Sequence, residues 1–206
     1  IRYLIKSSNN IIASSEQLAK ECNNISKNNN SHYICASINV HRYNPNNLYN
    51  NSKIINIGWT GTFTSKVYLD LLKPLFINLS KRIKFKLIVI SDFDYNSPGV
   101  DLEVIKWTKE SEIKDLQKID IGVYPLSIDQ WVSGKSGLKA LQYMAMALTT
   151  VATEVGNIKN VITHNHDGFL VKNISEWEET ITTLINNPDL RKKIGSNARK
   201  TVIEKF

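Results

Sequence analysis

The sequence contains no run of about 18 or more apolar residues, which argues against a membrane-spanning helix. Its first residues, IRYLIKSSNN, are too short in their apolar part for a secretory signal and lack an initiator methionine. The chain is therefore expected to be a piece of something longer. Cysteine is scarce: Cys22 and Cys35 are the only two, and they form no metal-ligand spacing. Both read as buried small apolar side chains in a reducing, cytoplasmic compartment. Asn-x-Ser triplets such as Asn78-Leu79-Ser80 arise by chance in so asparagine-rich a chain and do not speak for secretion. Arginine is sparse, the lysines are scattered, and no basic stripe is interleaved with aromatics, so nucleic acid is not an expected partner. A last absence concerns VSGKSGLKALQYMA, residues 132–145. Gly134-Lys135-Ser136 has the ending of a nucleotide-binding P-loop, but the glycine required five residues earlier is Asp129. The segment also leaves its strand through Pro125 and Trp131, so the P-loop reading fails its own structural test.

The 206 residues are 42% hydrophobic and 22% charged, enough for one core plus part of a second domain. Net charge is +7, which suits anionic partners such as phosphates or anionic lipid, and equally a lysine-rich solvated surface. The first part reads as an apolar run over 10–14, a helix over 15–28 and a buried strand over 33–38. Ser15 is the cap of that helix, with Leu18, Ala19 and Cys22 on one face. Residues 39–52 are rich in Asn and have no periodicity, so the linker is placed there. This divides the chain into 1–45, the end of one domain, and 46–206, a second.

Beyond the linker the alternation is regular. Strands are expected at 53–58, 85–91, 102–107, 119–126, 148–153 and 167–171. Between them lie a helix over 64–82 that Pro74 kinks or divides, a short helix over 111–119, the helix of the quoted stretch and a short helix near 157–162. Two helices close the chain. Ser175 with Glu178 reads as a capping box, and Asn187-Pro188 as an N-cap and first helical position. The pattern predicts an α/β fold with a doubly wound parallel sheet. Ligands of such sheets bind beyond the carboxyl ends of the strands, so the loops after residues 58, 91, 107 and 126 should surround one crevice.

The quoted stretch can hold an anion without a P-loop. Free N–H groups at a helix start near Gly134–Gly137 bind anions, and Gly137 permits close approach. Lys135, Lys139 and Gln142 then share one helix edge while Leu138, Leu141, Ala145 and Leu148 face the sheet. A helix with two solvated lysines is the alternative.

Taken with its neighbours, the stretch resembles the nucleotide-sugar-binding domain of GT-B glycosyltransferases, in particular the retaining enzymes of family 4. The segments that carry the resemblance are IGWTGTFTSKVYL (57–69), IKWTKESEIKDLQKIDIGVYPL (105–126), SGKSGLKALQYMAMALTTVATEVGNIKNVI (133–162), HDGFLV (166–171) and NNPDLRKKIGSNARKTVIEKF (186–206). ASSEQLAKEC and YICASINVHRYNP resemble the end of the N-terminal domain and its linker. Two departures stand out. The paired glutamates of the family fall on Gly134 and Gln142, and TTVAT lacks the usual proline.

The resemblance implies a Rossmann-like fold and transfer of a sugar, with retention, from a nucleotide-diphosphate donor to a glycan or lipid-linked acceptor, as in surface polysaccharide synthesis. It implies that the backbone N–H groups of Gly137 and Leu138 hold the diphosphate, that Lys135 and Lys139 neutralise it, and that Gln142 bonds a ribose hydroxyl. Gly61 and Thr62 would line the opposite loop, with Lys66 a weaker candidate. Trp107 would contact the nucleobase, or serve as a core anchor. Asp129 reads as a loop cap, and His41, His164 and His166 receive no role. No metal or other cofactor is expected, because a helix start and lysines can carry the leaving-group charge. A cytoplasmic location follows, compatible with peripheral contact at the inner face of a membrane. A non-catalytic nucleotide-sugar-binding module and a GT-B-like nucleotide-sugar epimerase are the alternative functions.

Overall fold

The computed structural model describes residues 1–45 and 54–206, so part of the expected linker lies outside the described residues. The first elements are α1 (Arg2–Ser7), β1 (Ile11–Ala13), α2 (Glu16–Ser26) and β2 (Ser31–Tyr33), with β1 and β2 paired in parallel. Ser15 caps α2 as expected, its hydroxyl accepting from the Leu18 N–H at 3.2 Å. The strand expected over 33–38 is instead Ser31–Tyr33. Its partner offers only three residues, and the pairing ends where Ile34 N–H donates to Ala13 C=O at 3.0 Å. Cys22 and Cys35 are half-buried rather than buried.

The main sheet has six parallel strands: β3 (Ile55–Gly61), β4 (Phe85–Ser91), β5 (Asp101–Lys106), β6 (Ile121–Tyr124), β7 (Thr149–Thr153) and β8 (Phe169–Val171). They lie in the order β5-β4-β3-β6-β7-β8. The helices are α3 (Lys66–Asp70), α4 (Lys73–Ser80), α5 (Glu112–Leu116), α6 (Gln130–Ser133), α7 (Leu138–Ala145), α8 (Ile158–Val161), α9 (Ile174–Asn186) and α10 (Pro188–Lys205). The central strands β4 and β6 read as nearly continuous apolar runs because helices cover both faces, while the edge strand β5 is partly exposed. Leu69, Leu72, Phe76 and Leu79 join Trp177, Ile181 and Leu184 in one core cluster. Leu141 and Met144 join Ala198 and Val202 in the other. Each buried Leu, Ile, Val, Phe or Met among them contributes roughly 1.5–3 kcal/mol by leaving water.

Local chemistry sets the breaks. Pro74 stands in the first turn of α4 and divides the expected long helix, since its missing N–H costs nothing there. The cap of α9 is Asn173, not Ser175: its side chain accepts from the Glu176 N–H at 3.0 Å. Glu176 returns the contact by accepting from the Lys172 N–H at 2.8 Å, while Glu178 pairs with Arg82 instead. Asn187 and Pro188 open α10 as expected.

The strand order reverses between β3 and β6, and this is where a doubly wound sheet opens a crevice. The two strands pair only through Ile57 with Ile121 and Gly58 with Gly122. Further along β3, the Thr60 N–H donates to the Tyr143 hydroxyl of α7 at 2.8 Å. The Tyr143 ring lies against Gly122, where a Cβ would come within 2.7 Å of it. Burial raises the Tyr143 hydroxyl well above the ordinary tyrosine pKa, with the Thr60 N–H opposing in part. Tyr143→Phe leaves that N–H without its acceptor and should lower stability by about 1–3 kcal/mol, read as a reduced urea midpoint at unchanged slope. An unchanged midpoint would show that the hydroxyl does not close the strand gap.

Candidate functional site

The loop after β3 forms one wall of the crevice. Thr62 and Ser65 bond reciprocally: the Thr62 N–H donates to Ser65 Oγ at 3.1 Å, and Ser65 Oγ donates to the Thr62 carbonyl at 2.9 Å. Gly61 sits against the Trp59 ring, where a Cβ would come within 2.3 Å, so only glycine fits. The opposite wall is the turn before α7. Gly137 is the N-cap of α7 at φ +85°, a left-handed conformation suited to glycine, and no side chain caps the helix. The following N–H groups, from Leu138 onward, are therefore left to solvent or a ligand. The turn is held from below, where Asn157 Nδ2 donates to the Ser136 carbonyl at 2.9 Å. Asp129 caps α6, its Oδ1 accepting from the Val132 N–H at 2.8 Å, which agrees with its reading as a loop cap.

Two lysines point into this crevice. Lys139 Nζ lies 5.0 Å from the centre of the Trp59 ring and 3.3 Å from Ser65 Oγ. Lys135 Nζ lies 5.0 Å above the Tyr68 ring. Lys135 is in the turn and not on α7, so the expected shared helix edge begins only at Lys139. Leu138 likewise departs from expectation: it is 44% exposed, because its place in the first turn points it off the sheet. None of the ion pairs among the described residues involves Lys135 or Lys139. Burial, then the charge of Lys135, pushes the Lys139 ammonium down to about 8. The start of α7 thus carries two cations with no carboxylate partner among the described ion pairs. Lys66 does not join them. Its ammonium pairs with Asp70 at 2.7 Å and lies over the Tyr95 ring.

Midway along α7 the helix meets a paired carboxylate, Glu112. Gln142 Nε2 donates to the Tyr43 hydroxyl at 2.9 Å and to Glu112 Oε1 at 3.3 Å. Tyr43 donates to Glu112 Oε2 at 2.9 Å, and Arg42 pairs with the same oxygen at 2.8 Å. Trp107 Nε1 reaches Glu112 Oε1 at 3.4 Å. The Trp107 ring is 43% exposed, so it is not a core anchor. Sequence reading missed Trp59, Ser65, Tyr43 and Glu112. Glu112 had a faint signal, five residues after Trp107 in the segment assigned to the nucleobase side.

Further groups complete the picture. The loop after β4 contains an Asp-x-Asp run, Asp92-Phe93-Asp94, that the metal-free reading passes over. Asp92 is used as a loop clamp, its Oδ1 accepting from the Phe63 N–H at 2.7 Å. Among the described residues, no three His, Cys, Asp or Glu side chains gather as a metal-binding group. His164 lies away from the crevice, in a cavity of about 340 Å³ between β8 and α9. Its Nδ1 accepts from the Leu170 N–H at 3.0 Å. A cleft of about 190 Å³ between α2 and the turn is lined by Glu16, Ser133 and Asn157.

Residues 55–187 match the family model described as glycosyl transferases group 1. The chain belongs to that family. An uncharacterized glycosyltransferase of Methanocaldococcus jannaschii is 33% identical over 66 residues, which is 31% of this chain and 19% of the relative. The whole chain superposes on 62% of a glycosyltransferase from Rickettsia africae at TM-score 0.77 and 20% identity. It superposes on 56% of sucrose-phosphate synthase from Thermosynechococcus elongatus at TM-score 0.76 and 14% identity. Anabaena HepE, solved in complex with UDP-glucose, matches 97% of this chain and 60% of its own at TM-score 0.70 and 13% identity. These structures share the GT-B, Rossmann-like fold, and the chain spans less than two thirds of each relative. Among the described residues no helix is long and apolar enough to cross a membrane.

The lowered pKa of Lys139 has a sign that can be tested in this member of the group 1 family. Folded, Lys139 binds fewer protons than unfolded between about 8 and the ordinary 10.5. Its penalty is therefore complete below about pH 8 and fades as pH rises towards 10.5. Lys139→Met should raise the urea midpoint near neutral pH, and that gain over the parent protein should shrink across the same window. A gain that does not vary with pH would rule out a buried-charge penalty at Lys139.

Proposed function

We propose that this chain provides the donor-binding half of a retaining glycosyltransferase, of the family 4 type, that uses a nucleotide-diphosphate sugar. The observation that carries the reading is the pair of cations without carboxylate partners, Lys135 and Lys139, set beside the uncapped start of α7. Sugar transfer builds negative charge on the departing diphosphate. A helix N-terminus and two partly desolvated ammonium groups stabilise that charge as it forms, which is the role a metal has elsewhere. Gly61 and Thr62 line the facing wall, and the N–H groups of Gly137 and Leu138 take phosphate oxygens. Gln142 meets the ribose, and the exposed Trp107 ring offers a face to the nucleobase. Lys66 is the weakest member of this set, because Asp70 already holds it.

The acceptor is a glycan or a lipid-linked sugar, as in surface polysaccharide synthesis, taken up by an N-terminal domain of which residues 1–45 are the end. Exposed apolar side chains at Ile1, Leu4, Ile12 and Ile34 fit such a larger domain. A cytoplasmic site of action agrees with the reducing compartment suggested by the two free cysteines. The absence of carboxylates at 134 and 142 favours one second reading, a module that binds donor without transferring it.

Calorimetric titration with UDP, GDP and ADP, alongside the matching nucleosides, tests the site. Lys135→Ala should weaken the diphosphate that binds by roughly 10- to 100-fold and leave its nucleoside nearly unchanged. Equal losses for both would remove Lys135 as a phosphate ligand. Sugar transfer by the full-length protein separates the transferase from the binding module.

A further inference from the structure

We infer that Glu112 is a positioning residue that fixes which end of the Gln142 amide faces the crevice, so that a neutral glutamine offers the acceptor a carboxylate would. The inference rests on the donor-site reading above. An ionised carboxylate can only accept hydrogen bonds. Glu112 Oε1 stands 3.3 Å from the Gln142 amide, so the amide must turn its nitrogen towards it. Tyr43 imposes the same choice. Its hydroxyl proton is donated to Glu112 Oε2 at 2.9 Å, which leaves a lone pair for Gln142 Nε2 at 2.9 Å. Flipping the amide would set its oxygen against a carboxylate oxygen and against a hydroxyl whose proton is already used. Both alternatives are repulsive.

With the nitrogen committed, Oε1 is the acceptor that Gln142 has left. The vicinal hydroxyls of a ribose are donors that it suits. Phosphate is drawn to the start of α7 by Lys135 and Lys139, which have no carboxylate partner, whereas the cation beside Gln142, Arg42, is already paired with Glu112. Glu112 is itself anchored from three elements: Arg42 of the segment before β3, Trp107 after β5, and Gln142 of α7. Only 12% of its side chain is exposed. It therefore acts on the nucleoside through Gln142.

The test uses the full chain and UDP, GDP and ADP, each with its 2′-deoxy and 3′-deoxy form, titrated calorimetrically. The parent protein should prefer the ribose form of the diphosphate it binds by roughly three- to tenfold over one of the deoxy forms. In Glu112→Gln the amide is free to turn, and the preference should fall to about one. The preference for diphosphate over nucleoside, which the lysines carry, should remain. The exchanged pair, Glu112→Gln with Gln142→Glu, presents a carboxylate directly and should regain the ribose preference. A urea midpoint on each variant establishes that it is folded. Retention of the full ribose preference in folded Glu112→Gln overturns the inference, as does an exchanged pair that binds diphosphate without regaining it. In both cases the donor site stands. If the parent protein binds none of the three diphosphates, the donor-site reading fails and takes this inference with it.

Discussion

The contact between the Thr60 N–H and the Tyr143 hydroxyl is the constraint on which the site depends. A doubly wound sheet must let two strands part at its switch point, or no crevice opens. Parting them deprives backbone groups of ladder partners, and buried N–H groups without acceptors are costly. A tyrosine from the helix that follows β6 supplies the acceptor, and Gly122 makes room for its ring. That bond ties α7 to β3 across the gap. Lys139 precedes Tyr143 by one helical turn and Gln142 is its immediate neighbour, so both are placed by the same anchor.

Along α7 the groups that meet the helix change in kind. Its start carries two ammonium groups over aromatic rings and no capping side chain, while its middle meets the Glu112 carboxylate. A ligand that is anionic at one end and rich in hydroxyls at the other matches this polarity. The segment before β3 is tied to the same helix. Arg199 donates to the carbonyls of Val40, Tyr43 and Ala145, and Tyr43 reaches Gln142 through its hydroxyl. Movement of that segment relative to the main sheet would thus be felt at Gln142.

Much of the architecture was legible. The central strands β4 and β6 are nearly continuous apolar runs, because both their faces are buried, while the edge strand β5 carries Asp101, Glu103 and Lys106, and each long helix shows an apolar stripe. Pro74 and the Asn187-Pro188 pair act locally and were readable for that reason. What misled were features that depend on a partner. The strand at 33–38 looked apolar enough, but β1 offers only three residues to pair with. Ser175 and Glu178 had the spacing of a capping box, yet the backbone turned two residues earlier, at Asn173. Leu138 fitted the apolar stripe of α7 in sequence and lies outside it in space.

The chain encodes the fold class, the family and the place of the glycine- and lysine-rich turn directly, through periodicity and short-range order. It also marked Lys135, Lys139 and Gln142 as the polar residues of that turn and helix. What those residues meet depends on the closed fold. Trp59, Ser65 and Tyr68 come to the lysines from the far wall, while Lys66 is drawn off by Asp70. Glu112 and Gln142 are 30 residues apart, and Tyr43 and Gln142 are 99 apart. The orientation of one amide is set by groups that only the closed sheet brings together, and no local pattern in the chain can carry that information.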